Sequence, residues 1–227
     1  MKGIYQRIES RTKELLTLTS KYNAKLIGVT KTVDTERIRI ALEAGLKDVG
    51  ESRVQELSSK VDFFNNYDIN IHLIGHLQTN KAKKAVILSD YIHSIDSLKI
   101  AQKVSSYAQR ENKIIKVLLE VKVSKDLSKY GYNPEVLKEE FPKIIELPNI
   151  EVIGLMTIAT YTEDKNIIKE EFRSLRLLLE ELKKAYSTPS YFKELSMGMS
   201  GDYRIALDEG STMIRVGTYI FGDRKYV

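Results

Sequence analysis

A lysine stands at the predicted exit of a buried strand near the N-terminus. The apolar run at 26–29 leads through Thr30 to Lys31, and the mainly polar residues 32–35 separate this lysine from the next helical pattern. A lysine that is removed from water beside other cations has a lowered pKa and forms a Schiff base with an aldehyde. A lysine stem can equally lie along the strand end with its ammonium group in solvent. These residues alone leave both interpretations open.

Two loops near the other end of the chain combine glycines with hydroxyl side chains. They are 196-SMGMSGD-202 and 215-RVGTYIFGDR-224. The hydroxyl side chains are those of Ser196, Ser200 and Thr218, and the glycines include Gly198, Gly201 and Gly217. Glycine lets backbone N–H groups come close to an anion, and a helix predicted to begin near Asp202 would add its positive end. Serine and glycine are also ordinary turn residues, so the prediction of a phosphate site depends on the two loops lying together.

A reactive lysine that faces a phosphate site suggests one cofactor, pyridoxal 5′-phosphate. The phosphate would anchor one end of the ring, and a Schiff base with Lys31 would anchor the other. Arg215 precedes Gly217 by two residues on the last predicted strand. This position places the arginine where the pyridine nitrogen would fall.

Eight strand candidates alternate with amphipathic helical segments along the whole chain. The candidates are 25–31, 48–52, 70–75, 90–96, 116–123, 151–159, 194–200 and 213–221. Several are continuous apolar runs, as expected of parallel strands that are covered on both faces. Right-handed β–α crossovers repeated this many times close into an α/β fold, the (β/α)8 TIM-like barrel.

The helical segments have recognisable ends. A segment at 2–22 precedes the first strand, the segment at 35–45 ends at Gly45, and the segment at 165–186 has an apolar stripe. Asn133 is predicted to cap a helix that begins at Pro134.

An open doubly wound sheet is the alternative architecture. It would be expected to have a G-x-G-x-x-G turn after an early strand, and the sequence has none there. There is no Pro- or Ser-rich linker, which predicts a single domain over 1–227. In a barrel, functional groups lie at the C-terminal ends of the strands, and phosphate is often held after strands seven and eight. Lys31 is the last residue of the first predicted strand, so the barrel brings it to the same end as both loops.

The composition excludes several classes of protein. The chain has 227 residues, 42% hydrophobic and 30% charged, which is typical of a globular protein with a large core. There is no cysteine, so disulfides and thiolate metal sites are excluded and a cytoplasmic location is predicted. No apolar run is long enough to cross a membrane, and the charged N-terminus is not a secretory signal. The net charge of +5 comes mainly from dispersed lysines, so no nucleic-acid partner is predicted.

The three histidines do not form a metal motif. His72, His76 and His93 lie on or just after two predicted strands, but no H-x-x-x-H pair shares a helix face. His72 is predicted to be a core or strand-end residue. We predict no metal site.

Six stretches resemble a known family. They are 28-GVTKT-32, 50-GESRVQE-56, 72-HLIGHLQTNK-81, 154-GLM-156, 195-LSMGMSGD-202 and 211-STMIRVGTYIFG-222. In combination the motifs are highly specific, and they extend from the first strand to the last. The sequence resembles the pyridoxal-phosphate homeostasis proteins, which are single-domain relatives of the N-terminal barrel of alanine racemase.

The resemblance implies roles for individual residues. Lys31 matches the Schiff-base lysine and Arg215 the arginine that faces the pyridine nitrogen. The residues matching phosphate contacts are Ser196, with Ser200 as a second serine, and the pair Gly217 and Thr218.

The sequence also departs from the family pattern. Ser52 replaces an asparagine near the cofactor, which puts one polar contact to the ring in doubt. His76 stands where proline is common, and Lys122 where asparagine is common.

The resemblance implies a protein that holds pyridoxal phosphate as a lysine aldimine and acts in intracellular vitamin B6 and amino-acid homeostasis without dedicated catalysis. A pyridoxal-phosphate-dependent amino-acid racemase is the alternative, and a phosphate-binding barrel unrelated to vitamin B6 is a third reading. Arg215 disfavours a proton on the ring nitrogen, and the sequence ends at Val227 without the domain that supplies a racemase's second base. We therefore expect no catalytic residue and a monomer, with apo B6 enzymes as candidate recipients of the cofactor.

Overall fold

Eight parallel strands close into a barrel in the computed structural model, which describes residues 2–124 and 130–222. The strands are β1 (Lys25–Val29), β2 (Asp48–Glu51), β3 (Asn70–Leu73), β4 (Tyr91–Ile95), β5 (Ile115–Glu120), β6 (Ile150–Met156), β7 (Glu194–Ser196) and β8 (Met213–Val216). Each strand pairs with the next in sequence, and β8 pairs with β1. The predicted (β/α)8 barrel is confirmed.

Helices surround the barrel, and within the described residues one lies between each consecutive pair of strands. They are α1 (Lys2–Lys21), α2 (Thr35–Glu43), α3 (Val54–Phe64), α4 (Ala82–Leu88), α5 (Leu98–Arg110), α6 (Pro134–Ile145), α7 (Lys165–Ala185), α8 (Tyr203–Asp208) and α9 (Thr218–Phe221). A short 3-10 turn at Thr79–Lys81 leads into α4. None of the helices in this described part is long and apolar enough to cross a membrane.

Local side-chain chemistry sets several helix ends. Asp34 accepts a hydrogen bond from Arg37 N at the start of α2, and Gly45 follows that helix with a φ of +105°. Asn133 caps α6 by accepting from the N–H of Glu135, as its position before a proline predicted.

Alternate residues of each strand face the helices and the barrel interior. On β8, Ile214 and Val216 belong to the apolar layer between strands and helices. Met213 packs instead with Ile27 inside the barrel, and Arg215 reaches across the interior to β7. The helices therefore cover an apolar outer face, while the interior holds a mixed apolar and polar filling.

All eight strands end earlier than the apolar pattern suggested, and two of these differences affect the description of the site. β1 ends at Val29, so the prediction that Lys31 is the last residue of that strand was wrong by two residues. Lys31 lies in a turn, because Thr32 adopts a φ of +60° that cannot continue an extended chain.

The second difference concerns the predicted strand at 213–221. β8 ends at Val216, and the next apolar residues form the short helix α9. Ile220 and Phe221 of this helix are buried in the apolar layer outside the barrel. The sequence pattern identified these apolar residues correctly, but a helical turn buries them instead of a strand.

Candidate functional site

The residues predicted to bind a cofactor lie at the C-terminal ends of three neighbouring strands. Lys31 follows β1, Ser196 ends β7, and Arg215 lies near the end of β8. Because β7, β8 and β1 are adjacent in the barrel, these residues share one sector of its mouth. Lys31 is half-buried, whereas Arg215 is 4% exposed.

The two glycine-containing loops meet at the hydroxyl of Ser200. Ser200 Oγ accepts hydrogen bonds from the backbone N–H groups of Gly217 and Tyr219, at 3.3 Å each. Thr218, between them, is exposed at the start of α9. Both bonds are long, so an anion with stronger acceptor atoms can compete for these N–H groups. The predicted juxtaposition of the loops is therefore present, and its chemistry suits a phosphate.

Gly198 allows the first loop to turn back at this point. Its φ is +94°, and an added Cβ would lie 2.5 Å from Cβ of Ala206 and 3.0 Å from Cα of Tyr203. A side chain would therefore strain the backbone and displace α8. The carbonyl of Gly198 also accepts the N–H of Arg215, which ties this loop to β8.

Ser196 occupies a different position from Ser200. Its side chain is fully buried, and its hydroxyl oxygen accepts from Nη1 of Arg215 at 2.6 Å. Nη2 of the same guanidinium donates to the carbonyl of Thr157 at 2.8 Å. Burial lowers the pKa of Arg215 to about 10, so the guanidinium remains charged at neutral pH. Ser196 thus holds a buried cation in place beneath the mouth.

A chain of buried side chains continues from Ser196 through the barrel interior. His93 Nδ1 lies 2.9 Å from Ser196 Oγ, and His93 Nε2 lies 2.9 Å from Nδ1 of His72. His72 Nε2 in turn lies 2.9 Å from a carboxylate oxygen of Asp48. His72 is buried on β3, as predicted, but the sequence did not indicate that both histidines join Ser196.

The hydrogen bonds of this chain have one consistent direction. Both histidines are fully buried, and burial lowers the pKa of each, so both rings are neutral. Asp48 accepts from His72, His72 then accepts from His93, and His93 accepts from the hydroxyl of Ser196. The Ser196 oxygen keeps its lone pairs for Arg215. This series of hydrogen-bonded side chains therefore fixes the orientation of Arg215 from the barrel interior.

Glu120, at the end of β5, is an additional buried group that sequence reasoning missed. Burial raises its pKa to about 7, and its Oε2 has no hydrogen-bond partner among the described residues. The nearby charge of Arg215 favours its ionised form, although less strongly than burial opposes it. An unsatisfied buried oxygen near Arg215 is consistent with a site built to receive a polar ligand.

Two of the departures from the family pattern line one cavity. Ser52 and His76 belong to a cavity of about 770 Å³ next to α3 and α4, which Lys81 and Tyr130 also line. His76 stacks on Tyr130 with 3.8 Å between ring centroids, and its Nδ1 lies 3.2 Å from Asp96. Within 2–124 and 130–222, no three His, Cys, Asp or Glu side chains are grouped as metal ligands.

Comparison with known proteins identifies this kind of barrel. Residues 5–225 match the family model of the alanine racemase N-terminal domain. Alanine racemase from Clostridium difficile 630 superimposes with a TM-score of 0.78 over 98% of this chain and 57% of its own, at 16% sequence identity. That similarity shows a shared fold.

Other relatives are more similar and define the family. The chain is 44% identical over 203 residues to a pyridoxal phosphate homeostasis protein of Aquifex aeolicus, covering 89% of this chain and 88% of that protein. It is 35% identical over 216 residues to the human protein of the same name, covering 89% and 77%. PipY of Synechococcus elongatus, solved with PLP bound, superimposes with a TM-score of 0.87 at 36% identity, covering 95% of this chain and 100% of its own. The chain belongs to the pyridoxal phosphate homeostasis protein family, and the predicted resemblance is confirmed.

Proposed function

We propose that this protein binds pyridoxal 5′-phosphate and contributes to vitamin B6 and amino-acid homeostasis without dedicated turnover. The observation that carries the proposal is the convergence of the Ser200 loop with the N–H groups of Gly217 and Tyr219, beside the buried cation Arg215. The neighbouring strand β1 leads into the turn of Lys31. The PLP-bound structure of PipY, a close relative, supports the same assignment.

Each residue has a distinct proposed role in holding the cofactor. Ser200, Gly217 and Thr218 bind the phosphate, Arg215 faces the ring nitrogen, and Lys31 holds the aldehyde end. When bound, the cofactor's aldehyde would condense with the Lys31 amine and release water. Ser196 was predicted as a phosphate ligand, but its buried bond to Arg215 supports an indirect role, in which it fixes the guanidinium.

Arg215 supports binding over catalysis. A guanidinium donates hydrogen bonds only and stays positive, so it opposes protonation of the ring nitrogen that it faces. A cofactor with an unprotonated ring is a weaker electron sink. The curated relatives are named as homeostasis proteins, which is consistent with this role. We propose that the barrel is a single domain that acts as a cytoplasmic monomer and supplies apo B6 enzymes.

Amino-acid racemase activity is the alternative function. Glu120 is the observation that favours it, because a buried carboxyl with a pKa of about 7 can exchange protons at neutral pH. Racemisation needs a second proton-exchanging group beside the lysine, and Glu120 is a candidate for that group.

Titration of cofactor-free protein with pyridoxal phosphate tests the binding proposal. We expect a yellow complex with the parent, and no comparable colour with Lys31→Ala. Lys113→Ala is a suitable control, because Lys113 binds carbonyls of residues 86 and 89, before β4 and at the opposite end of the barrel. A parent protein that is colourless after incubation with excess cofactor and removal of the unbound cofactor by gel filtration would contradict the proposal.

A further inference from the structure

Helix α3 places a second lysine beside the turn that carries Lys31. Lys60, with only 9% of its side chain exposed, donates from Nζ to the carbonyl of Thr30 at 2.7 Å. It also donates to carboxylate oxygens of Glu51 and Glu56, at 2.8 Å each. An ammonium group has three protons, and these three acceptors engage all of them.

The same two carboxylates bind the turn directly. The hydroxyl of Thr30 donates to Glu51 Oε1 at 2.6 Å, and the backbone N–H of Thr32 donates to Glu56 Oε1 at 2.5 Å. The residues on both sides of Lys31 are therefore attached to one ion cluster, formed by Glu51, Glu56 and Lys60. We call this set the lysine-60 cluster.

The cluster holds a backbone conformation that its residue types do not favour. Thr32 has a φ of +60°, in the left-handed region that β-branched residues rarely adopt. Such a conformation persists when surrounding contacts determine it, and one of those contacts is the bond from Thr32 N to Glu56. Contacts from α3, together with Glu51 of β2, therefore help to hold the turn in this shape.

Net stability is a weak reason to bury these charges. Removing carboxylates and an ammonium from water offsets most of their attraction, and well-packed apolar side chains often replace such clusters without loss. Burial raises the pKa of the fully buried Glu51 despite the adjacent Lys60, which shows that the desolvation cost is substantial. What apolar side chains cannot replace is the set of directional bonds to Thr30 and Thr32.

We propose that Lys60 is a positioning residue, which acts through Glu51 and Glu56 to hold the backbone on both sides of Lys31 and so present its amine to the aldehyde. This inference rests on the proposed function. It also assigns a purpose to both glutamates of the 50-GESRVQE-56 motif, to which sequence reasoning gave none.

The test compares two ligands that differ only at the aldehyde. Pyridoxal 5′-phosphate can react with Lys31, whereas 4′-deoxypyridoxine 5′-phosphate has a methyl group there and can use only the phosphate and ring contacts. We would measure both affinities by calorimetry for the parent, Lys60→Met and Lys31→Ala, and for the double variant. Lys113→Met is the matched control, since that lysine also holds backbone carbonyls, but at the other end of the barrel.

Lys60→Met should weaken binding of the aldehyde about tenfold or more, because the turn then samples other conformations, and change binding of the deoxy analogue by less than about twofold. In the Lys31→Ala background, Lys60→Met should have no further effect, and Lys113→Met should behave as the parent does. If Lys60→Met does not fold, Glu56→Ala is measured in its place. Glu56→Ala removes the contact to Thr32, and the same effects on the affinities of the two ligands are expected.

Equal weakening of both ligands, or unchanged affinity for the aldehyde, would overturn the inference. A parent that binds the deoxy analogue and the aldehyde equally would contradict the proposed role of Lys31. A parent that binds neither ligand would contradict the proposed function. The experiment therefore distinguishes a wrong positioning role for Lys60 from a wrong proposed function.

Discussion

Ser196 and Ser200 provide a pair of substitutions whose effects should differ in kind. Both are changed to alanine, which removes one hydroxyl in each case. Ser196 is fully buried between Arg215 and His93, whereas Ser200 is half-buried and accepts two long bonds from backbone N–H groups. The first substitution should act on the buried cation, and the second on the phosphate.

The magnitudes follow from these contacts. Ser196→Ala leaves a charged donor of Arg215 buried without its acceptor, a loss of roughly 1.5–3 kcal/mol in the free energy of unfolding. For a chain of this size the melting temperature should fall by roughly 3–12 °C. Ser200→Ala should cost less than about 1 kcal/mol of stability, but remove a charge-assisted bond to phosphate, which lowers cofactor affinity about tenfold to a hundredfold.

Thermal unfolding of the cofactor-free variants measures the first effect, and titration with pyridoxal phosphate and with phosphate-free pyridoxal measures the second. Ser200→Ala should reduce the preference for the phosphorylated ligand. Ser196→Ala should weaken both ligands by a similar factor, because in the proposed arrangement Arg215 faces the ring, which both ligands share. If Ser196→Ala abolished the preference and Ser200→Ala kept it, Ser196 would be the phosphate ligand that the sequence predicted, and our reasoning from its burial would be refuted.

Four further predictions concern pH, catalysis and assembly. Glu120→Gln should stabilise the cofactor-free protein by up to roughly 3 kcal/mol above about pH 8 and leave its stability unchanged below about pH 4. Burial raises the pKa of the Glu120 carboxyl to about 7, and burial penalises only its ionised form. Denaturant unfolding that shows the same stability difference at both pH values would contradict this prediction. The lowered pKa values of the two buried histidines act in the opposite sense, so acid should destabilise Glu120→Gln as the pH falls below about 6.5, and a flat profile there would argue against neutral rings. Incubation with L-amino acids and chiral chromatography should show no efficient racemisation, whereas sustained Lys31-dependent turnover of about one per second would establish the racemase alternative. Sedimentation should give the mass of one chain at micromolar concentration, and a stable dimer would contradict the proposed monomer.

The sequence predicted the barrel because its apolar runs and helical stripes repeat regularly. Each strand core was located, and the caps at Asn133 and after α2 followed from residue type. Strand ends at the mouth were less accurate, since an apolar residue such as Phe221 can be buried by a strand or by a helical turn. Lys31 was placed on a strand because the left-handed φ of Thr32, which turns the backbone there, is not predictable from residue type.

The sequence predicted individual residues of the site but not the contacts between them. The two serines of the SMGMS stretch look equivalent in sequence, and only the structure shows Ser196 on β7 facing inward and Ser200 in the loop. The link between His72 and His93 depends on the register of β3 and β4. Lys60 lies on an ordinary helical segment, and its contact with Thr30 depends on how α3 packs. Long-range contacts of this kind leave no local pattern in a sequence.

Reduction with borohydride tests the central claim most directly. The parent protein is saturated with pyridoxal phosphate, reduced, digested and analysed by mass spectrometry, so that any covalently attached cofactor is fixed to the lysine that holds it. We predict one predominant modified peptide, containing Lys31, and its absence from Lys31→Ala treated identically. Predominant modification of another lysine, or equal modification of the parent and Lys31→Ala, would contradict the account.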